Sequence, residues 1–358
     1  MSASAPRLEA GHRNNFDLVR LVLASSVLLA HGLTLAGERA LAPLGEFFSA
    51  DLAVKGFFVV SGYLVTMSCV SSASVRDYAS KRVRRIYPAY FAIVVLCFAA
   101  GLLLTSAPLG AYLRGGLGYL AANLAFLNFL SPLLPGVFAA NPYSEVNGPL
   151  WTLKIEVMFY AIVPALVFLF RRYGAAATIA ALFAGSILYA ARLGDLHDST
   201  GRALWLELQR QLPGQLGYFL AGMALYWYRA PLFRRWPALI ALAVAAYLLL
   251  RLGNEAATLY VKFALEPVAI GIAVIYVACG LPYLGNFARF GDLSYGIYII
   301  HFPVIQAAVA AGWFARDPWA AFFGCVGATV ALAFASWHLV EKPFLKRGSH
   351  YRIASGAV

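Results

Sequence analysis

Charged residues are scarce in this chain: they make up 12% of its 358 residues, whereas soluble domains average about a quarter. Acidic residues are the minority among them, with 16 Asp and Glu against 28 Lys and Arg. Cysteine is also rare, and the four present lie singly in apolar segments, without the spacing of a zinc site or a disulfide framework. These shortages exclude a soluble globular fold, and we expect no metal site.

Apolar residues dominate instead: the hydrophobic share is 61%, and runs of about twenty apolar residues recur along the whole length. Runs of that length are typical of helices that cross a membrane. The chain is therefore predicted to be all-α, a polytopic transmembrane helical bundle. The candidate spans are 17–36, 52–70, 87–105, 117–134, 149–170, 175–191, 213–228, 236–252, 260–279, 293–312 and 319–340.

The distribution of positive charge predicts how many of these segments cross. If 117–134 does not cross, most Lys and Arg residues fall in cytoplasmic loops, whereas a crossing there would move the later basic clusters outside. We therefore predict about ten spans with both termini cytoplasmic. The segment 117–134 is then re-entrant or outward-facing within the loop 106–148. The formal charge of +12 reflects this topology and not an affinity for nucleic acid.

The predicted domain organisation is simple. Residues 1–15 form a cytoplasmic N-terminal segment, 16–345 form one membrane domain, and 346–358 form a cytoplasmic tail. The first apolar run carries His31 and many others follow it, so we do not expect a cleaved signal peptide.

The most informative feature is an arginine and a histidine eleven residues apart in the first span, Arg20 and His31. Eleven helical residues make three turns plus roughly 20°, so both side chains share one face, about 16 Å apart along the axis. An ionisable residue that deep in a span is functional by default. The pair suggests a charged, elongated ligand laid along the helix. The alternative is an Arg20 that snorkels to the surface and a His31 satisfied by a neighbouring helix.

A basic cluster, Ser80 to Pro88, stands at the start of the third span. Within it Arg82 and Arg85 are i,i+3 neighbours on one helical face. Guanidinium groups bind phosphates through forked pairs of hydrogen bonds, so this face suits a phosphorylated ligand. The alternative is a topology signal that contacts lipid head groups.

A carboxylate lies inside the span that follows Gly148. Glu156 and Tyr160 share one face there at i,i+4 spacing. In the ten-span topology Glu156 lies about 10 Å below the outer mouth, close to the depth of His31. A carboxylate at that depth would orient the imidazole and stabilise its protonated form. The alternative is that Lys154 or an arginine merely neutralises Glu156.

Two further spans supply candidate ligands. Ser61 stands next to Gly62 in the second span, where a hydroxyl can donate into a cavity and the glycine permits close helix packing. His301 lies in the middle of a later span, just before Pro303; it either lines the same cavity or satisfies backbone groups that the proline frees. The predicted substrate-binding residues are Ser61, Trp151, Tyr160 and His301.

Taken in order, these segments resemble the acyltransferase-3 family of bacterial integral-membrane O-acyltransferases. The resemblance covers nearly the whole chain, and the ordered set of motifs is more specific than any one of them. The matching residues are Arg20 and His31, GFFVVSGY at 56–63, Arg82, Arg85, Ile86 and Pro88, LWTLKIEVMFY at 150–160, SYGIYIIH at 294–301, and EKPF at 341–344.

The resemblance implies an enzyme of the bacterial inner membrane that moves an acyl group, commonly acetyl, from cytoplasmic acyl-CoA to a hydroxyl of a cell-surface or lipid-linked glycan. His31 would be the general base and Glu156 would orient it, while Arg20, Arg82 and Arg85 would hold the CoA phosphates. The expected partners are the acyl-CoA donor, the glycan acceptor and membrane lipids, with no permanently bound cofactor. An acyl-histidine relay is the alternative to direct transfer. Fused family members carry an outer hydrolase-like domain; none follows here, so we expect any second processing activity to reside in a separate protein.

The rival hypothesis is a secondary transporter or lipid-linked glycan flippase, because intramembrane His and Glu residues would serve either one. We find no repeat that relates the two halves of the chain. A deep histidine above a basic patch also has no obvious role in transport.

Overall fold

The computed structural model describes residues 14–252, 258–346 and 349. Within these ranges the chain is helical and contains no β-strand. Eleven helices have sixteen residues or more, and shorter helical turns connect them. The long helices are α1 (Phe16–Ala36), α2 (Ala50–Ser71), α3 (Val75–Leu104), α4 (Leu109–Leu124), α5 (Leu150–Tyr173), α6 (Ala175–Thr200), α7 (Leu212–Trp227), α8 (Trp236–Leu252), α9 (Thr258–Ile275), α10 (Ser294–Ala310) and α11 (Pro318–Ser336). Two π-helical turns, Tyr276–Gly280 and Trp337–Glu341, extend α9 and α11.

Seven of these helices, some together with the turns that adjoin them, are long and apolar enough to cross a membrane: α1, α2, α3, α5, α6, α9 and α11. Two others, α8 and α10, are apolar but shorter. The predicted all-α polytopic bundle is confirmed.

Local sequence signals begin and end the helices. The side chains of Ser49, Ser74 and Asp317 accept hydrogen bonds from backbone amides in the first turns of α2, α3 and α11, which is the usual chemistry of an N-cap. The first helix ends at Gly37, whose positive φ of 67° lets its amide close the last turn.

The third helix begins earlier than its apolar run. The prediction starts this span at residue 87, but α3 begins at Val75 because Ser74 caps it there. An i,i+4 ion pair between Asp77 and Lys81, at 2.7 Å, lies in the added turns. The basic cluster is therefore part of a rigid helix and not of the preceding loop.

The first and tenth helices run in the same direction. Arg20, near the start of α1, contacts Asp292, just before α10, with 2.8 Å between Nη2 and Oδ2. His31, eleven residues further along α1, contacts His301 within α10. If every helix from α1 to α10 crossed the membrane, these two would be antiparallel. One intervening segment therefore does not cross.

The segment that does not cross contains α4. Thr105, at the end of α3, donates from Oγ1 to the Pro135 carbonyl at 2.6 Å. The segment between these two residues therefore begins and ends at the same level of the bundle. Between these points α4 packs antiparallel against α3, and Tyr90 donates to the Asn123 carbonyl at 2.7 Å. This geometry fits the re-entrant alternative for 117–134, although α4 begins and ends earlier than that stretch.

The predicted terminal segments, 1–15 and 346–358, lie outside the described residues except for 14, 15, 346 and 349. Asn15 belongs to the packed bundle, because its side-chain amide donates to the carbonyls of Val277 and Pro282 at 3.1 and 3.0 Å. Asn15, the last residue of the predicted N-terminal segment, thus packs with the bundle.

The second and seventh helices pack backbone against backbone. Gly62 faces the Phe219 carbonyl and Gly222 faces the Val59 carbonyl, so closely that a Cβ at either glycine would overlap the oxygen. Small residues allow this approach between helices inside a membrane. The predicted packing role of Gly62 is confirmed.

We predict that Gly62→Ala destabilises the bundle, because α7 must move away to accommodate the added methyl group. Overpacking of this kind costs roughly 1–3 kcal/mol, so the melting temperature in detergent should fall. Gly185→Ala in α6 is the matched control, since a Cβ there meets open space and a helix favours Ala over Gly. Equal melting temperatures for the two variants would contradict the tight contact.

Candidate active site

Four buried charged side chains meet at one end of the bundle. Arg85 on α3 donates from Nη2 to Oδ2 of Asp292 at 2.7 Å and from Nη1 to Oε2 of Glu341 at 2.8 Å. Arg20 on α1 contacts the same Asp292 oxygen at 2.8 Å. Each of the four residues is at most 8% exposed. We call these two arginines and two carboxylates the buried ion cluster.

Asp292 is the centre of this cluster. Ser294, the first residue of α10, donates to its second oxygen, Oδ1, at 2.6 Å. Burial alone raises the pKa of the Asp292 carboxyl, but the guanidinium groups of Arg20 and Arg85 and the Ser294 hydroxyl outweigh that effect and lower the pKa to about 2. The carboxylate is therefore ionised at neutral pH.

The three arginines predicted to hold phosphates are not equivalent. Arg20 and Arg85 are paired with carboxylates, because an unpaired guanidinium among apolar helices would be strongly destabilising. Arg82 contacts the Ser68 hydroxyl at 3.2 Å and the Tyr160 ring, and it forms no ion pair with the described carboxylates. Its Nε is buried and has no hydrogen-bond partner within the described ranges. Arg82 is therefore suited to bind an anion.

A cavity of about 520 Å³ opens beside the buried ion cluster. This volume lies in the range of small-molecule sites. The opening is at the end of the bundle that the sequence predicts to face the cytoplasm. We call it the basic vestibule, and its charged lining residues are Asp17, Arg20, Lys81, Arg82, Arg84, Arg85 and Lys346.

A narrower cavity of about 80 Å³, the inner chamber, continues from the basic vestibule into the bundle. The two cavities share Arg20, Leu64, Arg82 and Arg85 as lining residues. The chamber extends as far as Tyr298, so a path leads from the charged end of the bundle towards the middle of α10.

The inner chamber contains the predicted residues Ser61, Glu156 and Tyr160. Ser61 donates from Oγ to Oε1 of Glu156 at 2.9 Å, and Tyr160 donates to the same oxygen. Lys154 points elsewhere and donates to the Gln211 side chain at 2.6 Å. Glu156 is thus held by two hydroxyl groups, and Lys154 is not its neutralising partner.

His31 and His301 are in contact just beyond the inner chamber. Nδ1 of His31 lies 2.8 Å from Nε2 of His301, and the rings stack with 5.1 Å between centroids. His301 is fully buried, one helical turn beyond Tyr298, which bonds to Thr152 at 2.6 Å where the chamber ends. His31 is only partly buried. Neither histidine lines the chamber, whose last lining residue on α10 is Tyr298, three residues before His301.

Glu156 and His31, predicted to be neighbours, contact different partners in the structure. Residue counting places both at a similar depth, but Glu156 faces Ser61 in the chamber. Within the described part of the chain, the side-chain hydrogen bond of His31 is to His301. Residue counting gives only the depth of a side chain in the membrane, whereas helix packing sets the direction in which it points.

The carbonyl that Pro303 frees has a donor other than His301. Pro303 has no amide hydrogen, so it leaves the Ile299 carbonyl without its usual helical donor. Asn147 fills that position, donating from Nδ2 to the Ile299 carbonyl at 2.8 Å. His301 is therefore not needed to satisfy the freed carbonyl, and its ring is available to His31.

Trp151 lies apart from the other predicted site residues. Its ring packs under the Arg210 guanidinium, 6.0 Å from the centroid, and beside the hydrophobic cluster formed mainly by α2, α5, α7 and α9. It does not line the vestibule or the chamber.

Comparison with known proteins identifies the family of this chain. Residues 13–338, nearly its whole length, match the profile of a family described as an acyltransferase domain. The chain belongs to the acyltransferase-3 family.

Relatives within the acyltransferase-3 family cover most of the chain. Nodulation protein 10 of Rhizobium leguminosarum bv. viciae is 32% identical over 94% of this chain and 94% of its own length. An O-acetyl transferase of Shigella phage Sf6 is 29% identical over 94% and 98%. The exopolysaccharide production protein ExoZ of Rhizobium meliloti is 27% identical over 87% and 95%. No solved structure gives a significant match.

This acyltransferase is an O-acetyltransferase-like enzyme and an integral membrane protein, as the family, the relatives and the long apolar helices together show. The predicted family and enzyme class are confirmed.

Sequence reasoning missed the acidic half of this acyltransferase's buried ion cluster. Asp292 and Glu341 each stand at a helix boundary, where acidic residues are common and carry no obvious chemical meaning. Charge balance is the signal that could have found them. Buried arginines require carboxylates, and the chain has only 16 acidic residues from which to supply them.

We predict that Arg85→Ala strongly destabilises the acyltransferase and that Arg82→Ala does not. Without Arg85 the buried carboxylates Asp292 and Glu341 lose their shared partner, and breaking a buried pair in this way costs roughly 3–5 kcal/mol. Arg82 has no ion pair among the described residues to lose. Abundance in the membrane and melting temperature in detergent test the difference. Equal stability of the two variants would argue against a structural role for the cluster.

Proposed function

We propose that this acyltransferase moves an acetyl group from cytoplasmic acetyl-CoA to a hydroxyl group of a cell-surface or lipid-linked glycan, and that it does so in the bacterial inner membrane. The observation that carries the proposal is the path from the basic vestibule through the inner chamber towards His31 and His301. The path matches the shape of a donor that has phosphates at one end, a thin arm in the middle and a thioester at the other end.

The basic vestibule supports the assignment of the CoA phosphates. Arg82 offers a guanidinium that no described carboxylate neutralises, and Arg84 is exposed nearby. Lys81 and Lys346 both contact Asp77 at 2.7 Å, and exposed pairs of this kind are weak enough to exchange for a phosphate. Arg82 is therefore the main phosphate ligand in this proposal, and the other cations add attraction at longer range.

The inner chamber supports the passage of the donor's arm. The hydroxyls of Ser61 and Tyr160 and the carboxylate of Glu156 form a polar strip there. The amide groups of a pantetheine arm need such hydrogen-bond partners when they leave water. The chamber is small and does not reach His31 or His301, so it must extend further when the thioester meets the histidines.

The acceptor assignment draws on the relatives. One is named for exopolysaccharide production and another for O-acetyl transfer. Their names support a saccharide hydroxyl as the acceptor of this enzyme as well.

His31 is the general base in the proposed reaction. It removes the proton from the acceptor hydroxyl while the oxygen attacks the thioester carbonyl. The acyl–oxygen bond forms, the acyl–sulfur bond breaks, and the CoA thiolate takes the proton back from His31. The site also holds donor and acceptor together, which removes much of the entropic cost of their encounter.

We predict that His31→Ala lowers kcat by roughly 10²–10⁴-fold, the usual contribution of a general base, while the protein stays inserted and abundant. The assay incubates the enzyme in nanodiscs with radiolabelled acetyl-CoA and a panel of the host's surface glycans, and follows CoA release and label transfer. His197→Ala, near the end of α6, is the control. Undiminished turnover in His31→Ala would exclude this residue as the base.

We predict that Arg82→Ala raises the KM for acetyl-CoA by about tenfold or more, because a charge-assisted hydrogen bond contributes about 1.5–3 kcal/mol. Acetyl-pantetheine carries no CoA diphosphate and should have the same KM with both enzymes. The measurement is initial rate against donor concentration for the two donors. An equal increase in KM for both would show that Arg82 does not bind the phosphates.

A further inference from the structure

The hydrogen bonds around His301 fix the position of the proton on its ring. Nδ1 of His301 lies 3.0 Å from the carbonyl oxygen of Ile297, one turn earlier on α10, and its Nε2 lies 2.8 Å from Nδ1 of His31. A carbonyl oxygen can only accept a hydrogen bond, so Nδ1 of His301 carries a hydrogen.

The surroundings of His301 keep the ring neutral. The side chain is fully buried, and its hydrogen-bond partners among the described residues are His31 and the backbone of Ile297 and Tyr298, none of which carries a negative charge. An imidazolium there would be a buried charge without a counter-ion, which is far less stable than a neutral ring. With its one proton on Nδ1, the ring has a lone pair on Nε2, and that lone pair accepts from Nδ1–H of His31.

We propose that His301 is a positioning residue that fixes the tautomer of His31, so that Nε2 of His31 is the atom that removes the acceptor's proton. This inference rests on the proposed function. The order of groups is the Ile297 carbonyl, the His301 ring, the His31 ring and the acceptor hydroxyl. Because His31 is partly exposed and His301 is fully buried, the open ring nitrogen at the end of this series belongs to His31.

The same contact stabilises His31 after it has taken up the proton. Its Nδ1–H already points at the lone pair of His301, so the new positive charge meets a hydrogen-bond acceptor without any rearrangement. A neutral histidine thus performs the orienting task that a carboxylate performs in many acid–base sites. The pair carries no charge at rest, which suits a site between apolar helices.

The test compares two replacements of His301 in inverted membrane vesicles, which contain the natural acceptor. His301→Gln keeps an oxygen that can accept from His31, whereas His301→Leu does not. CoA release from radiolabelled acetyl-CoA gives kcat and KM per mole of enzyme that binds the donor. We expect kcat to fall by about 100-fold in His301→Leu and by less than about tenfold in His301→Gln, with the KM for acetyl-CoA unchanged in both. His197→Leu is the matched control.

Two results would overturn the inference. One is a wild-type kcat in His301→Leu, and the other is a His301→Gln variant that binds donor yet is as inactive as His301→Leu. The double variant His31→Ala/His301→Leu should be no less active than His31→Ala alone, because the two residues act as a unit. Failure of the proposed function can be distinguished from failure of this inference. An active His31→Ala variant refutes His31 as the base. An inactive His31→Ala variant together with an active His301→Leu variant refutes only the positioning role of His301.

Discussion

Buried positive charge is the constraint on which the rest of this structure depends. Arg20 and Arg85 lie among apolar helices, where neither is stable without a carboxylate, and both are paired with residues from the far part of the chain. This pairing joins α1, α3, α10 and the turn after α11 at one level of the bundle. It also sets the register between α1 and α10. His31 is eleven residues after Arg20 on α1, and His301 is nine residues after Asp292. The two histidines therefore lie at the same depth.

The basic residues at this end of the molecule divide into two groups with different tasks. Those in the buried ion cluster are neutralised by the protein, so they hold helices together and form a fixed wall. Arg82, only three residues from Arg85, is left with a hydroxyl and an aromatic ring. The proposed phosphorylated donor would need both kinds: a neutralised frame that does not move when the donor leaves, and a cation that pairs with the donor's phosphates.

Much of this molecule could be predicted from its sequence, because hydrophobic length and charge placement act on whole segments. The helical bundle, the re-entrant segment, and the shared face of Arg20 and His31 follow from such regularities. Contacts between helices do not, because they depend on how each helix is rotated against its neighbours. Glu156 was matched to His31 by depth alone, yet the two face different partners. Arg82 and Arg85 are identical residues one turn apart, yet helix packing places Asp292 and Glu341 beside Arg85 and leaves Arg82 without an ion pair among the described residues.

The buried ion cluster also imposes an order on the assembly of the helices during synthesis. Arg20 and Arg85 enter the membrane with the first and third helices, but Asp292 follows Arg85 by 207 residues. During that interval both arginines must stay near water or lipid head groups at the membrane surface, as long cationic side chains can. His31 waits for longer than Arg85 does, since its partner is 270 residues away. Insertion of α10 beside α1 therefore pairs Asp292 with both arginines and brings His301 to His31 in one event, whereas Arg85 gains its second carboxylate, Glu341, only after α11.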